Sequence, residues 1–216
     1  MIPKTIHQVY GIFDDGIPLE DINVFNQSVD ETKKFCSEWN YEYKMWDLKD
    51  CEELIVEKFP EYIDLWTEFR YNIQRCDFIR YCILYEYGGW YIDCDVYPIQ
   101  NLESLRDNEI VFTTWNDDKY RKPYNAMMGS FAKNSLFRKI CNDIEFRVIQ
   151  KQNIKQYDDW KGRLVFYTTG HRMLQKHVPK DKIFDLMLIY NEKKNIYITS
   201  DNPYFFDNNA SLWHSE

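Results

Sequence analysis

Between Arg75 and Tyr97 the chain reads Arg-Cys-Asp-Phe-Ile-Arg-Tyr-Cys-Ile-Leu-Tyr-Glu-Tyr-Gly-Gly-Trp-Tyr-Ile-Asp-Cys-Asp-Val-Tyr, and that order constrains everything around it. Its spacing predicts a helix, a glycine stop and a strand that ends on two aspartates. Asp77 and Arg80 are three apart and so share one helix face, with Tyr81 and Leu84 about a turn further on. Ile73, Cys76, Ile79, Ile83 and Tyr87 form an apolar stripe beside them, expected to bury the helix and fix where the polar pair points. Gly88 stands where a left-handed residue ends a helix, and Gly89 loosens the start of the next element. Residues Trp90 to Tyr97 are aromatic and branched, as strands are. Alternation along that strand puts Asp93 and Asp95 on one side, about 6.6 Å apart. Two carboxylates that close repel unless something positive lies between them, and a hard divalent cation held by oxygen ligands is the usual answer.

Composition narrows the class. A length of 216 residues suits one large domain, and a single domain over 1–216 is expected. Hydrophobic residues at 44% and charged residues at 29% are ordinary for a globular protein. Aromatics are abundant, with 17 Tyr and 7 Trp, which suits a site that stacks sugar or base rings as well as a core. A net charge of −8 argues against a nucleic-acid binder, which would carry a basic face, but leaves room for a nucleotide held through a metal. No window reaches the roughly 18 apolar residues of a membrane span, and the N-terminus lacks a charged-then-apolar signal pattern. The expectation is therefore a soluble, cytoplasmic protein, with peripheral membrane association left open and oligomeric state unassigned. Six cysteines without a Cys-x-x-Cys pair read as reduced core thiols rather than a zinc site or a disulfide frame.

Taken in order, Ile2 to Tyr10 reads as a first strand, followed by a loop from Gly11 to about Asp21 and a helix to Glu38. Tyr41 to Trp46 is a second strand. Asp50 with Glu53 has the form of a capping box for a helix that Pro60 closes. A helix from Tyr62 to Phe69 leads into the central one. Pro98 to Leu105 reads as loop, Glu109 to Trp115 as strand, Asn116 to Asn125 as a polar surface loop and Ala126 to Lys133 as strand. Ser135 is expected to cap a helix whose apolar positions Leu136, Ile140, Ile144 and Val148 fall four apart. Lys151 to Arg163 is polar linker, and Thr168-Thr-Gly-His leads into a short helix. Asp185 to Tyr190 and Asn195 to Thr199 are short strands, with an aromatic, amide-rich tail from Tyr204. Strands alternating with helices from the first residue argue for an α/β fold.

The central pattern Arg-x-x-Asp-x-x-Arg-Tyr-x-x-Leu-x-x-Tyr-Gly-Gly-x-Tyr-x-Asp-x-Asp resembles the core of the DXD-motif sugar-transferase family. That family includes yeast initiating mannosyltransferases, bacterial capsular polysaccharide enzymes and, distantly, the clostridial glucosylating toxins. Ile2-Pro-Lys-Thr-Ile-His-Gln is similar to the family's opening strand, and weaker echoes follow at Asn125, Thr169-Gly170 and Ser211-Leu-Trp213. The resemblance implies a GT-A-type nucleotide-sugar-binding fold, a mixed central sheet flanked by helices. It also implies transfer of a hexose from a nucleotide sugar to a glycan or glycoprotein acceptor, dependent on Mn²⁺ or Mg²⁺, with retention at the anomeric carbon. A UDP-sugar is the first donor it suggests and GDP-mannose the second. Carried over by position, Asp95 binds the metal and Asp93 the ribose and metal shell, while Asp77 and Arg80 hold the donor sugar and the diphosphate side. Gln8 and Tyr10 fall where base and ribose sit, and Tyr91 joins the donor-binding set. Ser211 and Trp213 match residues that close over the leaving group. This chain departs from the family in having Asp207, Asn208 and Asn209 where a histidine or acidic metal ligand often precedes that closing segment. Asn208 is the ligand expected there. It also has His171 where a proline often follows Thr-Gly.

The chemistry suits these residue types. Breaking a sugar–diphosphate bond leaves negative charge on the phosphate, which a bound divalent metal stabilises without proton transfer. Arg80 adds a fixed cation, and an indole N–H such as that of Trp213 is a donor for the leaving oxygen. No convincing nucleophile stands out, which favours a front-face displacement. Two rival readings compete with this one. A catalytically degenerate sugar- or nucleotide-binding protein would keep the same residues. A haloacid-dehalogenase-type phosphohydrolase also carries an Asp-x-Asp strand, but near the start of its chain.

Overall fold

The structure is a computed structural model that describes residues 1–13, 16–114, 122–149, 161–191, 196–199 and 202–208. In chain order the elements are β1 (Thr5–Val9), α1 (Asn23–Trp39), β2 (Glu42–Trp46), α2 (Leu48–Lys58), α3 (Ile63–Glu68), α4 (Asn72–Tyr87), β3 (Gly89–Ile92), β4 (Val96–Pro98) and β5 (Ile110–Thr114). They continue as β6 (Pro123–Ser130), α5 (Ser135–Ile149), α6 (Lys161–Thr168), α7 (His171–Leu174), β7 (Ile183–Phe184), β8 (Met187–Asn191), β9 (Ile196–Thr199) and β10 (Phe205–Asp207). Six strands make one mixed sheet in the order β2-β1-β3-β6-β5-β7, and four make a second in the order β4-β10-β8-β9. The parallel pairs β1–β2 and β1–β3 are crossed over by helices, as parallel pairing requires.

The strand β3 shows why the larger sheet sits in the middle. Its side chains alternate between two cores, with Tyr91 in the one packed by α2 to α5 and Trp90 and Ile92 in the other with Phe35 of α1. All four of its residues are buried, the mark of a strand covered on both faces. Helix α4 is similarly enclosed. Ile73, Cys76, Ile79 and Ile83 are buried as the periodicity expects, but so are all residues from Cys76 to Leu84, whereas Tyr87 is 44% exposed. A stripe is therefore too narrow a description: α4 is covered by β-sheet, α5 and α6 at once.

Gly88 and Gly89 both have positive φ, 67° and 87°. A side chain at Gly88 would meet the Ala132 nitrogen at 2.5 Å, and one at Gly89 the Thr5 oxygen at 2.6 Å. The pair thus does more than stop a helix; it lets β3 enter the sheet against β1. His7 secures the same corner. The Trp46 indole donates to its Nδ1 (3.2 Å), so Nε2 carries the hydrogen and donates to the Gly88 carbonyl at 3.0 Å. Burial lowers its pKa to about 4 and keeps the ring neutral.

Several expectations shift. The capping box of α2 lies one turn earlier: Asp47 is the cap, and its side chain accepts from the Asp50 nitrogen at 2.8 Å. At α5, Asn134 rather than Ser135 does the capping, accepting from the Leu136 nitrogen at 3.0 Å. Strand β6 begins at Pro123 and ends at Ser130, not at Ala126 to Lys133, because Thr114 and Thr113 of β5 pair with Pro123 and Tyr124. All six cysteines are buried and free, as the lack of paired spacing implied. Among the described residues no helix is long and apolar enough to cross a membrane. Of the expected loop 116–125 and linker 151–163, residues 116–121 and 151–160 lie outside the described residues, and Lys161 to Arg163 open α6 instead of linking.

Candidate active site

The largest correction falls on the aspartates. Trp90 to Tyr97 is not one strand: β3 stops at Ile92, and the Val96 nitrogen bonds the Asp93 carbonyl at 3.0 Å to close a tight turn. Beyond it, β4 leaves the large sheet and pairs with β10 in the small one. Asp93 and Asp95 thus stand on this turn rather than on alternate positions of one strand. The polar backbone of the turn is held from below. Gln8, fully buried on β1, donates through Nε2 to the Asp93 carbonyl (3.1 Å) and accepts from the Tyr43 hydroxyl at 2.9 Å. Cys94 points down to the Val9 carbonyl, Sγ to oxygen 3.3 Å. Gln8 is therefore committed inside the protein and acts on the site through the turn, not as a free contact for a base. Tyr10 lies at the end of β1, where its hydroxyl donates to the Ile17 carbonyl at 2.8 Å and its ring meets Phe25 edge-on.

The helix pair and the turn are one cluster. Arg80 is 4% exposed, and its guanidinium lies between two carboxylates, 3.2 Å from Asp77 and 3.0 Å from Asp93. It also donates to the Cys76 and Asn125 carbonyls, at 3.0 and 2.9 Å, and stacks 4.7 Å above the Tyr91 ring. The Tyr91 hydroxyl then donates to Asp93 Oδ1 at 2.9 Å. Asp77 accepts from Asn125 Nδ2 (2.8 Å) on one oxygen and from Thr169 Oγ1 (2.9 Å) on the other. Tyr81 buttresses both donors, its hydroxyl giving to the Thr169 carbonyl at 2.8 Å and taking from Asn125. Asn125 and Thr169 were visible in the sequence as faint echoes only, and Tyr81 as part of the central pattern; Tyr43 and Gln74, which donates to Thr168 at 3.0 Å, carried no signal beyond their residue type.

One guanidinium faces two acids here, so the cluster holds more negative than positive charge. Burial raises Asp77 to about 6 against the pull of Arg80, Thr169 and Asn125. Asp93 is raised too, by burial, while Arg80 and Tyr91 hold it down. The sign for stability follows. A carboxyl whose folded pKa lies above its unfolded value adds stability below the unfolded pKa and loses it as pH climbs through the folded one. Asp77 should cost the native state up to about 3 kcal/mol at pH 7 relative to pH 4. The variant Asp77→Asn, near-isosteric with the protonated acid, is expected to match the wild type in urea unfolding near pH 4 and to exceed it at pH 7. A wild type that instead gains on the variant as pH rises would show that the Arg80 pairing outweighs the burial.

Asn208 completes the rim. Its backbone nitrogen and Nδ2 both donate to the Asp95 carbonyl, at 3.0 and 3.2 Å, and Nδ2 also reaches Ser28 Oγ at 2.9 Å. Its amide nitrogen being so engaged, the amide oxygen is the atom left to ligate. Beside it Asp207 is paired in register with Val96. Among the described residues no three His, Cys, Asp or Glu side chains gather closely enough to hold a metal by themselves. The set of Asp93, Asp95 and Asn208 is nonetheless all-oxygen, which fits a hard cation that completes its shell with phosphate oxygens and water. Ser211 and Trp213 lie outside the described residues.

Residues 18–112 match the family model described as the glycosyltransferase sugar-binding region containing a DXD motif, a span that stops short of Asn125 and Thr169. The chain is 26% identical over 220 residues to an uncharacterized glycosyltransferase of Acanthamoeba polyphaga mimivirus, covering 99% of this chain and 84% of the viral one. It is 28% identical over 227 residues to inositol phosphoceramide mannosyltransferase 2 of Schizosaccharomyces pombe, covering 100% of this chain but only 59% of the yeast protein's length. The PaToxG glycosyltransferase shares the fold, with a TM-score of 0.56 over 82% of this chain and 68% of that one, at 14% identity. The mixed sheet flanked by helices is thus a fold of the GT-A type. Over residues 18–112 the chain is similar to the DXD-motif glycosyltransferases, and both relatives are named as glycosyl- or mannosyltransferases.

Proposed function

We propose that the protein moves a hexosyl group from a nucleotide sugar to a hydroxyl-bearing acceptor, with Mn²⁺ or Mg²⁺ held at the aspartate turn. The observation that carries this reading is the position of Arg80, which ties Asp77 on the helix to Asp93 on the turn within one buried cluster. Asp95, the outer oxygen of Asp93 and the amide oxygen of Asn208 would hold the cation. When bound, that cation supplies charge stabilisation for the departing diphosphate. Arg80 and Tyr91 fix the orientation of Asp93, and Gln8 fixes the turn on which both aspartates stand. Asp77 holds the sugar. Both Asp77 oxygens already accept hydrogen bonds, which makes it a poor nucleophile and supports retention by front-face displacement. Ser211 and Trp213 enter by family resemblance as the closing segment over the leaving group.

The S. pombe relative is named for mannose and inositol phosphoceramide. On that ground GDP-mannose moves ahead of the UDP-sugars as the first donor to assay, and a cyclitol or sugar hydroxyl, free or on a lipid or protein, is the acceptor class. The test is a thermal-shift screen of GDP-mannose and UDP-hexoses with and without Mn²⁺, followed by donor hydrolysis. A donor present at a hundred times its dissociation constant should add about 2.7 kcal/mol of stability, and only with the cation. Binding without turnover would leave the degenerate binding protein as the better reading. Silence with every donor, together with cleavage of phosphomonoesters, would favour the phosphohydrolase.

A further inference from the structure

His171, the first residue of α7, follows directly on the two residues that close over Asp77. Its ring lies 4.8 Å from Phe166 and 6.5 Å from Tyr124, edge to face, centroid to centroid. Tyr124 in turn precedes Asn125, the donor to Asp77. Burial, and then the charges of Asp207, Asp95 and Asp93, push its phenol up in pKa. The imidazole therefore stands at the rim of the same site, with the Tyr124 ring a neighbour to both.

Among the described residues neither ring nitrogen of His171 has a hydrogen-bond partner, although the side chain is half-buried. Burial, with Arg172 and Lys122 near, lowers its pKa to about 4, so the ring is neutral at pH 7 and offers one donor and one acceptor. The rings of Phe166 and Tyr124 beside it are apolar surface of the kind that takes the C–H face of a sugar or cyclitol. A donor, an acceptor and two aromatic faces make a complete recognition set for a polyol hydroxyl.

We propose that His171 is the acceptor-side residue of this site, its imidazole hydrogen-bonding the attacking hydroxyl of a polyol acceptor and so positioning that oxygen. The proposal rests on the transferase reading above. In the step it serves, the hydroxyl oxygen forms the new bond to the anomeric carbon. The bond from that carbon to the diphosphate oxygen breaks, its electron pair leaves on the diphosphate, and the hydroxyl proton ends there too. His171 orients the oxygen and keeps no proton.

Donor hydrolysis provides the test, with water standing in for the acceptor hydroxyl and the donor that stabilises the wild type as substrate. Loss of one neutral hydrogen bond corresponds to about a tenfold change in rate. His171→Ala is expected to lower kcat by that factor while Kd for donor with Mn²⁺ stays within about twofold. His171→Gln keeps an N–H and an oxygen acceptor, and should recover a good part of the rate. An unchanged kcat in His171→Ala, a Kd that worsens in step with kcat, or a glutamine variant no better than alanine would each reduce His171 to packing and overturn the assignment. A wild type that binds no donor, or binds without turning it over, would sink the transferase reading and this one with it.

Discussion

Replacing Arg80 by methionine should destabilise the protein by about 3–5 kcal/mol at pH 7, the cost of leaving buried charge without its partner. The guanidinium has two ion-pair partners, and Asp77 keeps only 6% of its side chain exposed. With the cation gone, each carboxyl can stay in place only by taking up a proton, so both pKa values rise further. The loss should therefore shrink as pH falls toward 4, where the buried acids take up protons whether or not Arg80 is present. Urea unfolding at pH 4.5 and 7 measures it, and an unchanged m-value identifies a change in stability rather than in the unfolded chain. A loss below about 1 kcal/mol, or one indifferent to pH, would mean the cluster is hydrated and loosely coupled. Arg80→Lys should fail nearly as badly, because one ammonium cannot span two carboxylates and two carbonyls in a plane.

Asp95→Ala should behave in the opposite way, losing at least about a hundredfold in turnover with little change in stability. The bonds from Asn208 reach its backbone carbonyl, which alanine retains, so the turn and β10 keep their join. Its side chain is half-exposed, and substitutions at such positions usually stay within about 0.5 kcal/mol. On the proposed reading the variant loses one carboxylate ligand of the cation, and with it charge stabilisation of a leaving diphosphate, whose single-group contributions run to about 10²–10³ in rate. The measurement is donor hydrolysis across a Mn²⁺ titration beside a melting curve. Retention of more than a tenth of the wild-type rate at saturating Mn²⁺ would remove Asp95 from the metal site. Under the proposed function the two variants separate the halves of the cluster, a loss of stability at Arg80 against a loss of turnover at Asp95.

Much of this was readable along the chain. The order of helices and strands followed from periodicity and from the glycine and proline stops, and the polar pair on α4 followed from a spacing of three on a helix. What periodicity misjudged was local and has local causes. The aspartates looked like strand residues because Trp90 to Tyr97 has strand composition throughout, yet β3 and β4 belong to different sheets and the chain must turn between them. The stripe on α4 looked narrow because Phe78, Tyr81 and Cys82 fall off its axis, and only the helices and sheet around it show that every side has a partner.

Parts that lie within one element or one turn are legible in the order of residues: the Asp77–Arg80 pair, the two glycines and the two aspartates. What those parts touch depends on how the elements pack. Thr169 reaches Asp77 across 92 residues, Asn125 across 48, and Gln8 reaches the turn across 85. A hydrogen bond over such separations leaves no periodic trace, because its two ends are set by how sheets and helices stack and not by the backbone repeat of either. The same holds for His171 and Tyr124. Each is an ordinary residue in its own segment, and only the packing of α7 against β6 makes them neighbours at the rim of one site.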